Sequence, residues 1–270
     1  QFAEPVSPAP AVRRAALPLP KQRVVCTFVF LAINVLLFLV MTVFGWTKGL
    51  GLRGSENGLV LLLFGAKFGP AVSAGQYWRL LTACFLHIGV LHLLFNSWML
   101  FSLGQQMEQL YGAVRFSALY LLAGVAGNTL SYVGNDSLSA GASGAIFGLV
   151  GAMVVYLLIY RNAFGQWGRQ RLTNLLFIVA LNLALGFAGG GIDNLGHIGG
   201  LLAGLALGWA YCPRYRPAPP EAPWDAPRLV DGFSRGRAWF ASFALLAALV
   251  ALAYLGTLRW TAIYSGLGGL

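Results

Sequence analysis

Seven stretches of this chain run for about the thickness of a bilayer without a single charge. They fall at 24–46, 85–104, 116–133, 143–160, 172–189, 195–211 and 238–258, and a membrane-crossing helix needs about 20 such residues. Inside hydrocarbon no water is available to backbone N–H and C=O groups, so each run must close its own hydrogen bonds as a helix. The runs are continuously apolar rather than alternating with period two, which argues against a transmembrane barrel. With 58% hydrophobic and only 10% charged residues, the chain lacks the polar surface of a soluble domain. The expected fold class is an all-α polytopic membrane protein.

The net charge of +10 invites a nucleic-acid reading, but the 18 basic residues sort by loop. With the N-terminus in the cytoplasm, Arg13, Arg14, Lys21, Arg23, Arg115, Arg161, Arg169, Arg171, Arg214, Arg216, Arg228, Arg235 and Arg237 are inside. Lys48, Arg53, Lys67, Arg79 and Arg259 are outside. The positive-inside rule therefore sets the N-terminus in and the C-terminus out. The basic charge reads as topology and contact with anionic membrane lipid, not as a nucleic-acid site.

Residues 1–23, rich in Pro and Ala at their start, read as a disordered cytoplasmic tail. Residues 24–211 hold the first six spans, and 212–237 form a Pro-rich basic linker before the seventh span at 238–258. A short outer tail, 259–270, completes the chain. The outer loop between the first two spans contains "GLVLLLFGAKFG", too short to cross and read as an interfacial or re-entrant segment. Cys26, Cys84 and Cys212 lie in or beside different spans without metal-ligand spacing, so neither a disulfide framework nor a metal site is expected.

Polar residues inside spans mark function by default. His87 and His92 enter with the second span, Ser143 opens the fourth, and His197 enters with the sixth, all on the outer side. His92 and Asn96, four apart, share one helix face. Gly144, Gly148 and Gly151 in the fourth span, and Gly200, Gly204 and Gly208 in the sixth, form small-residue ridges that let helix backbones approach closely in lipid. If those ridges meet, His197 and Ser143 meet near the outer end.

A serine hydroxyl becomes a nucleophile when a neighbouring base takes its proton, and neutral histidine does this near pH 7. Oxyanion donors are available in His92, Asn96 and the Ser143 backbone N–H at a helix start. Asp193 is the only carboxylate near His197, in the preceding loop, so a dyad is expected rather than a triad. Each residue also has a plainer reading: a serine among glycines packs helices, and an intramembrane histidine can line a transport path. A transporter predicts polar residues continuing inward, yet "LVGAMVVYLL" and "LLAGLALGWA" carry no ionisable side chain.

Four motifs in order resemble the rhomboid family of intramembrane serine proteases. They are "YWRLLTACFLH" from Tyr77, "HIGVLHLLFN" from His87, "GASGAIFGLVGA" from Gly141 and "GHIGGLLAG" from Gly196. The resemblance covers 24–211 and implies a six-helix bundle to which the seventh helix is added, the six-plus-one arrangement. It implies Ser143 as nucleophile, His197 as general base, and His92 and Asn96 as oxyanion donors. Phe147 matches the aromatic position beside the base, and Gly141, Gly144 and Gly200 match the motif glycines. His87, Trp78 and Arg79 match structural positions. No cofactor is implied. The partners implied are transmembrane substrate proteins cut near their outer end. The compact core and short loops point to a multi-pass protein of a bacterial inner membrane, with an organelle membrane as the alternative. The rival within the family is an inactive relative that binds transmembrane clients, and such relatives typically lack the Ser or His.

Overall fold

The computed structural model describes residues 22–189, 191–218 and 228–267. The expected tail at 1–23 lies outside the described residues except for its last two positions, as do 219–227 of the linker and 268–270 of the outer tail. One unit contains described residues 22–213 and 233–267, and a second holds 214–218 and 228–232. In the second, β1 (Tyr215–Ala218) pairs antiparallel with β2 (Arg228–Asp231), Tyr215 opposite Asp231. The segment read as a Pro-rich basic linker thus carries a small two-stranded sheet in its described residues. Its Pro217 is tolerated because a two-stranded sheet has only edge strands.

All seven apolar runs are helical. They are α1 (Cys26–Thr47), α2 (Gly89–Tyr111), α3 (Ala113–Gly134), α4 (Ser143–Ile159), α5 (Arg161–Phe187), α6 (Asn194–Tyr211) and α7 (Arg235–Leu267). By length and composition α1, α3, α5 and α7 each suffice to cross a membrane, and α2 does so when counted with Arg79–Phe85, from which it turns by 89°. The protein is a multi-pass integral membrane protein. Several boundaries differ from the sequence reading. The fifth helix starts at Arg161 rather than 172, with a break in helical geometry at Gly165, since Arg169 and Arg171 interrupt the apolar run without ending the helix, and the second runs on past 104 to Tyr111. The second span starts at Gly89, not at 85, because the chain turns there with Gly89 at φ +78°. The seventh helix continues past 258 to Leu267, since one Arg at 259 ends an apolar run without ending a helix.

Between α1 and α2 the loop folds back on the bundle. Gly54 packs on Gly45 of α1 so closely that neither has room for a Cβ. The helix Gly58–Phe64 buries Val60 and Leu61 while exposing Leu59 and Leu63, as an interfacial segment does. Asn57 caps it, its Oδ1 accepting from Leu59 and Val60 N–H. Arg79 is nearly buried and organises this loop: it donates to the carbonyls of Leu62 (2.6 Å) and Ala66 (3.1 Å) and to Gln76 Oε1 (2.7 Å). Trp78 lies over its guanidinium at 4.6 Å.

Within α2 the residues Leu100–Gly104 form a π-helical turn. Below it, Glu108 is fully buried and caps α1: its carboxylate accepts from the Val25, Cys26 and Thr27 N–H groups at 2.8 to 2.9 Å and from Thr27 Oγ1 at 2.7 Å. Helix N-termini leave these donors unsatisfied, so one side chain ties the second helix to the start of the first.

The centre of the bundle is the seam between α4 and α6. Gly200 lies against the Gly144 carbonyl and Gly204 against Gly148, with no space for a Cβ at either, and a Cβ on Gly208 would be 2.5 Å from Ala152 Cα. Gly199 meets α3 in the same way: a Cβ there would fall 2.8 Å from the Ala126 carbonyl. Tyr111 closes one end of the seam, its hydroxyl 3.2 Å from the carbonyls of both Ala152 and Gly208. Replacing Gly204 by Val is expected to destabilise the bundle by at least about 1–3 kcal/mol through overpacking. Gly236→Ala, with nothing near its Cβ, should be neutral. Thermal unfolding of the detergent-solubilised variants checks both.

Candidate active site

The chain reaches Ser143 along a segment fixed from both sides. Ser139 and Lys67 exchange both backbone hydrogen bonds at 2.9 Å, and the Gly141 N–H donates to the Ala83 carbonyl at 2.9 Å. α4 then begins at Ser143, with Ala142 as N-cap and no capping side chain. Its first backbone bond inside the helix runs from Ile146 N–H to the Ala142 carbonyl, so the N–H of Ser143 lies among the donors a helix start leaves without intrahelical partners.

Gly141 adopts φ +151°, and a Cβ there would fall 2.8 Å from His92 Cε1, 2.9 Å from His92 Nε2 and 3.5 Å from Ser143 Oγ. The imidazole of His92 and the hydroxyl of Ser143 therefore flank the same glycine. His92 Nδ1 accepts from the Ile88 N–H at a long 3.4 Å, which assigns the ring proton to Nε2, the nitrogen facing Gly141. Asn96, buried one turn on, donates from Nδ2 to the His92 carbonyl at 2.9 Å. His87 is fully buried in the turn before α2, its ring edge-on to His92 with centroids 5.3 Å apart.

His197 lies in the first turn of α6. The two glycines that bracket it, Gly196 and Gly200, both approach Gly144, the residue after Ser143. Its ring stacks on Phe147 with centroids 4.2 Å apart and planes within 10°. Among the described residues its buried Nδ1 has no hydrogen-bond partner. The structure thus gathers Ser143, Gly141, Gly144, His92, His197, Phe147 and Gly200 around the head of the α4–α6 seam. Trp78 and Arg79 belong instead to the loop after α1.

Asp193, the N-cap of α6, is engaged elsewhere than at the His197 ring. Its carboxylate accepts from the Gly196 N–H (3.0 Å), from Asn135 Nδ2 (3.3 Å) and from the Ser131 hydroxyl. Ser131 and Ser139 hydroxyls are 3.4 Å apart. Lys67, fully buried, donates to the carbonyls of Ser137 (2.8 Å) and Asn135 (3.2 Å). Burial pushes its ammonium down to about 8, against the pull of Asp193 and Asp136. This network borders a small cavity lined by Ser143, Gly141, Ser139, Asn128, Asp193 and Gly196, large enough for a water molecule. Neither His92 nor His197 lines it.

The sequence reading missed Lys67, Ser131, Ser139 and Asn128. Lys67 alone carried a signal, as a lone cation inside an apolar loop segment. The serines and Asn128 show their role only through pairings between distant parts of the chain. Among the described residues no group of three or more His, Cys, Asp or Glu is placed to hold a metal.

These features define a polytopic membrane bundle with nucleophile and base candidates on two glycine-packed helices. Residues 74–214 match the Rhomboid domain, and the chain belongs to the rhomboid family. It is 43% identical over 179 residues to the Rhomboid protease GluP of Bacillus subtilis (strain 168), covering 66% of this chain and 33% of that protein. It is 37% identical over 174 residues to Rhomboid-like protease 1 of Toxoplasma gondii, covering 61% and 57% respectively. With RHOMBOID-like protein 2 of Arabidopsis thaliana it shares 37% identity over 196 residues, 72% of this chain and 60% of that one. The chain spans a third to three fifths of the length of these curated relatives.

Burial raises the Asp193 carboxyl, but the hydrogen bonds from Ser131, Gly196 and Ser139 and the charge of Lys67 outweigh it and hold the group below its ordinary 3.8. A carboxyl depressed in the folded state contributes stability that is present above its unfolded value and lost as pH falls through the folded one. Asp193→Asn, which keeps a capping side chain, is therefore expected to melt below wild type at pH 7, with the gap closing under acid below about pH 4. A gap independent of pH would show that the charge has no part in it.

Proposed function

We propose that this protein is an intramembrane serine endopeptidase that hydrolyses transmembrane segments near their outer end through Ser143 and His197. The observation that carries this is the convergence at Gly141: a serine hydroxyl and a histidine N–H donor flank one glycine at an uncapped helix start. A glycine contact one residue away brings in the helix bearing a second histidine. The protease names of the Bacillus and Toxoplasma relatives agree with it.

In this reading His197 takes the Ser143 proton as Oγ attacks the scissile carbonyl carbon, forming a tetrahedral intermediate with its charge on the former carbonyl oxygen. Three donors face that oxyanion: His92 Nε2–H, the Asn96 Nδ2 proton not used within its own helix, and the Ser143 N–H. The positive end of the α4 dipole adds to them. Collapse of the intermediate breaks the C–N bond, and His197 passes its proton to the leaving amine. Water then repeats the sequence on the acyl-enzyme, giving its proton to His197 and its oxygen to the carboxylate product, and Ser143 recovers its hydrogen. Among the described residues no carboxylate bonds the His197 Nδ1. The Phe147 stack holds the ring in place of the third group of a triad.

The length of α4 supports a cut within the membrane. Its 17 residues rise about 25 Å, short of a hydrocarbon layer about 30 Å thick, which agrees with Ser143 lying below the outer membrane surface. The distribution of basic residues supports a topology with that end outside and the N-terminus in the cytoplasm. We assign the protein to a bacterial plasma membrane on its short loops and compact six-helix core. A helical substrate protects its own carbonyls, so segments with Gly or Pro near the cut are the class that can extend into the site.

Purified protein in liposomes is expected to cut a single-span substrate near its outer end, with Ser143→Ala and His197→Ala each lowering the rate at least about 10³-fold at unchanged melting temperature. Gly141→Ala, whose methyl would enter the space beside His92, should lose activity almost as completely. Ser143→Ala protein that cuts as fast as wild type would remove Ser143 from the chemistry. Replacing Gly and Pro by Leu near the scissile bond should slow cleavage of the substrate.

A further inference from the structure

The seventh helix has no polar residue suited to chemistry, yet its outer end is bound to the parts that carry Ser143. Trp260, 6% exposed, packs with Val72, Leu80 and Tyr132. Its indole ring covers Gly69 so closely that no Cβ fits there, and its Nε1–H donates to the Tyr132 carbonyl at 3.2 Å. One turn earlier, Thr257 Oγ1 lies 2.9 Å from the Tyr77 hydroxyl and 3.1 Å from that of Tyr132, and a Cβ on Gly256 would be 2.5 Å from the Tyr132 ring. Arg259 pairs with Asp136 in the α3–α4 connection.

Those contacts land on two segments that Lys67 already joins. Gly69 is two residues from Lys67, whose ammonium holds the Asn135 and Ser137 carbonyls on either side of Asp136. Ser139 then pairs with the Lys67 backbone, and Gly141 follows, bonded to Ala83. The path from Trp260 to Ser143 thus runs through the loop after α1 and the α3–α4 connection without a break in packing or hydrogen bonding.

Building on the protease reading, we propose that the outer turn of α7 is a positioning element for the nucleophile: Trp260 and Arg259 clamp the loop after α1 and the α3–α4 connection in the register that sets Gly141 and Ser143 against His92. The Arg259–Asp136 pair is 34% and 64% exposed at its two side chains, and exposed ion pairs contribute little to stability on their own. Trp260 therefore carries the docking and Arg259 sets its direction.

The test uses the full chain in lipid nanodiscs with Trp260→Ala, Trp260→Phe, Arg259→Ala and a charge swap, Arg259→Asp with Asp136→Arg. Trp239→Ala, an exposed position at the other end of α7, serves as control. Three quantities are read: hydrogen exchange across residues 135–142, the rate at which a fluorophosphonate labels Ser143, and kcat and KM for a single-span substrate. Trp260→Ala is expected to speed exchange in 135–142 and to lower kcat and labelling about tenfold with KM within twofold. Trp260→Phe and Arg259→Ala should give smaller losses in the same direction. The charge swap should return labelling to within twofold of wild type where Arg259→Asp alone does not, and Trp239→Ala should change nothing.

Unchanged exchange in 135–142 with Trp260→Ala, while wild type cuts and labels, overturns the clamp and leaves the protease reading standing. A uniform rise in exchange over the whole bundle also overturns it, reducing α7 to general packing. Wild type inert to probe and substrate, with exchange in 135–142 responding as expected, sinks the protease reading and leaves the clamp on this loop.

Discussion

The bundle depends on the contact of glycine with glycine between α4 and α6. In lipid, helices gain no hydrophobic free energy by meeting one another, so association rests on close dispersion contact and on the few polar bonds that survive there. Each glycine at Gly144, Gly148, Gly200 and Gly204 removes a side chain that would hold the axes apart. The same absence of bulk carries α6 against α3 through Gly199 and brings Gly196, beside His197, against Gly144 at the start of α4. Packing and site geometry are therefore one constraint, and neither can be altered at these positions without the other.

Around that apolar seam the polar groups are few, and three buried charged side chains bond to backbone remote in sequence. Glu108 satisfies three N–H groups at the start of α1, Arg79 the carbonyls of its loop, and Lys67 those of the α3–α4 connection. In a low-dielectric medium an unpaired donor or acceptor is costly, so each of these side chains fixes the segments it bridges as firmly as a packed core would. Charge is sparse in this protein, and these three buried charged side chains serve as internal stitching.

The helices were legible because an uncharged run of about 20 residues has one stable conformation in a bilayer, and the α4–α6 seam because its glycines recur at helical spacing on both partners. Helix ends were less legible. The start of α2 depends on the reversed backbone at Gly89, and the far end of α7 was hidden by Arg259, whose partner, Asp136, is remote in sequence. The two-stranded sheet of β1 and β2 was masked by its prolines. At the site, the motif residues Ser143, His92 and His197 could be named from spacing, whereas Ser139, Ser131 and Lys67 could not. Their role is created by a two-residue bridge between loops, which no local pattern announces. Asp193 stood between these cases: an Asp heading an apolar helix is a readable N-cap, but its links to Ser131 and Asn135 come from a different helix and its end.

The π-helical turn at Leu100–Gly104 sets the angular phase of α2. Asn96 and Glu108 are both buried polar residues on this helix, one near the site and the other beneath the start of α1. At about 100° per residue, an unbroken α-helix would point them about a third of a turn apart, and one of them would face lipid. A π turn acts as a one-residue insertion, which takes up about 100° and brings both back toward the bundle. The wide turn works as a phase shifter, allowing one continuous helix to present a donor at one end and a carboxylate at the other to the same interior.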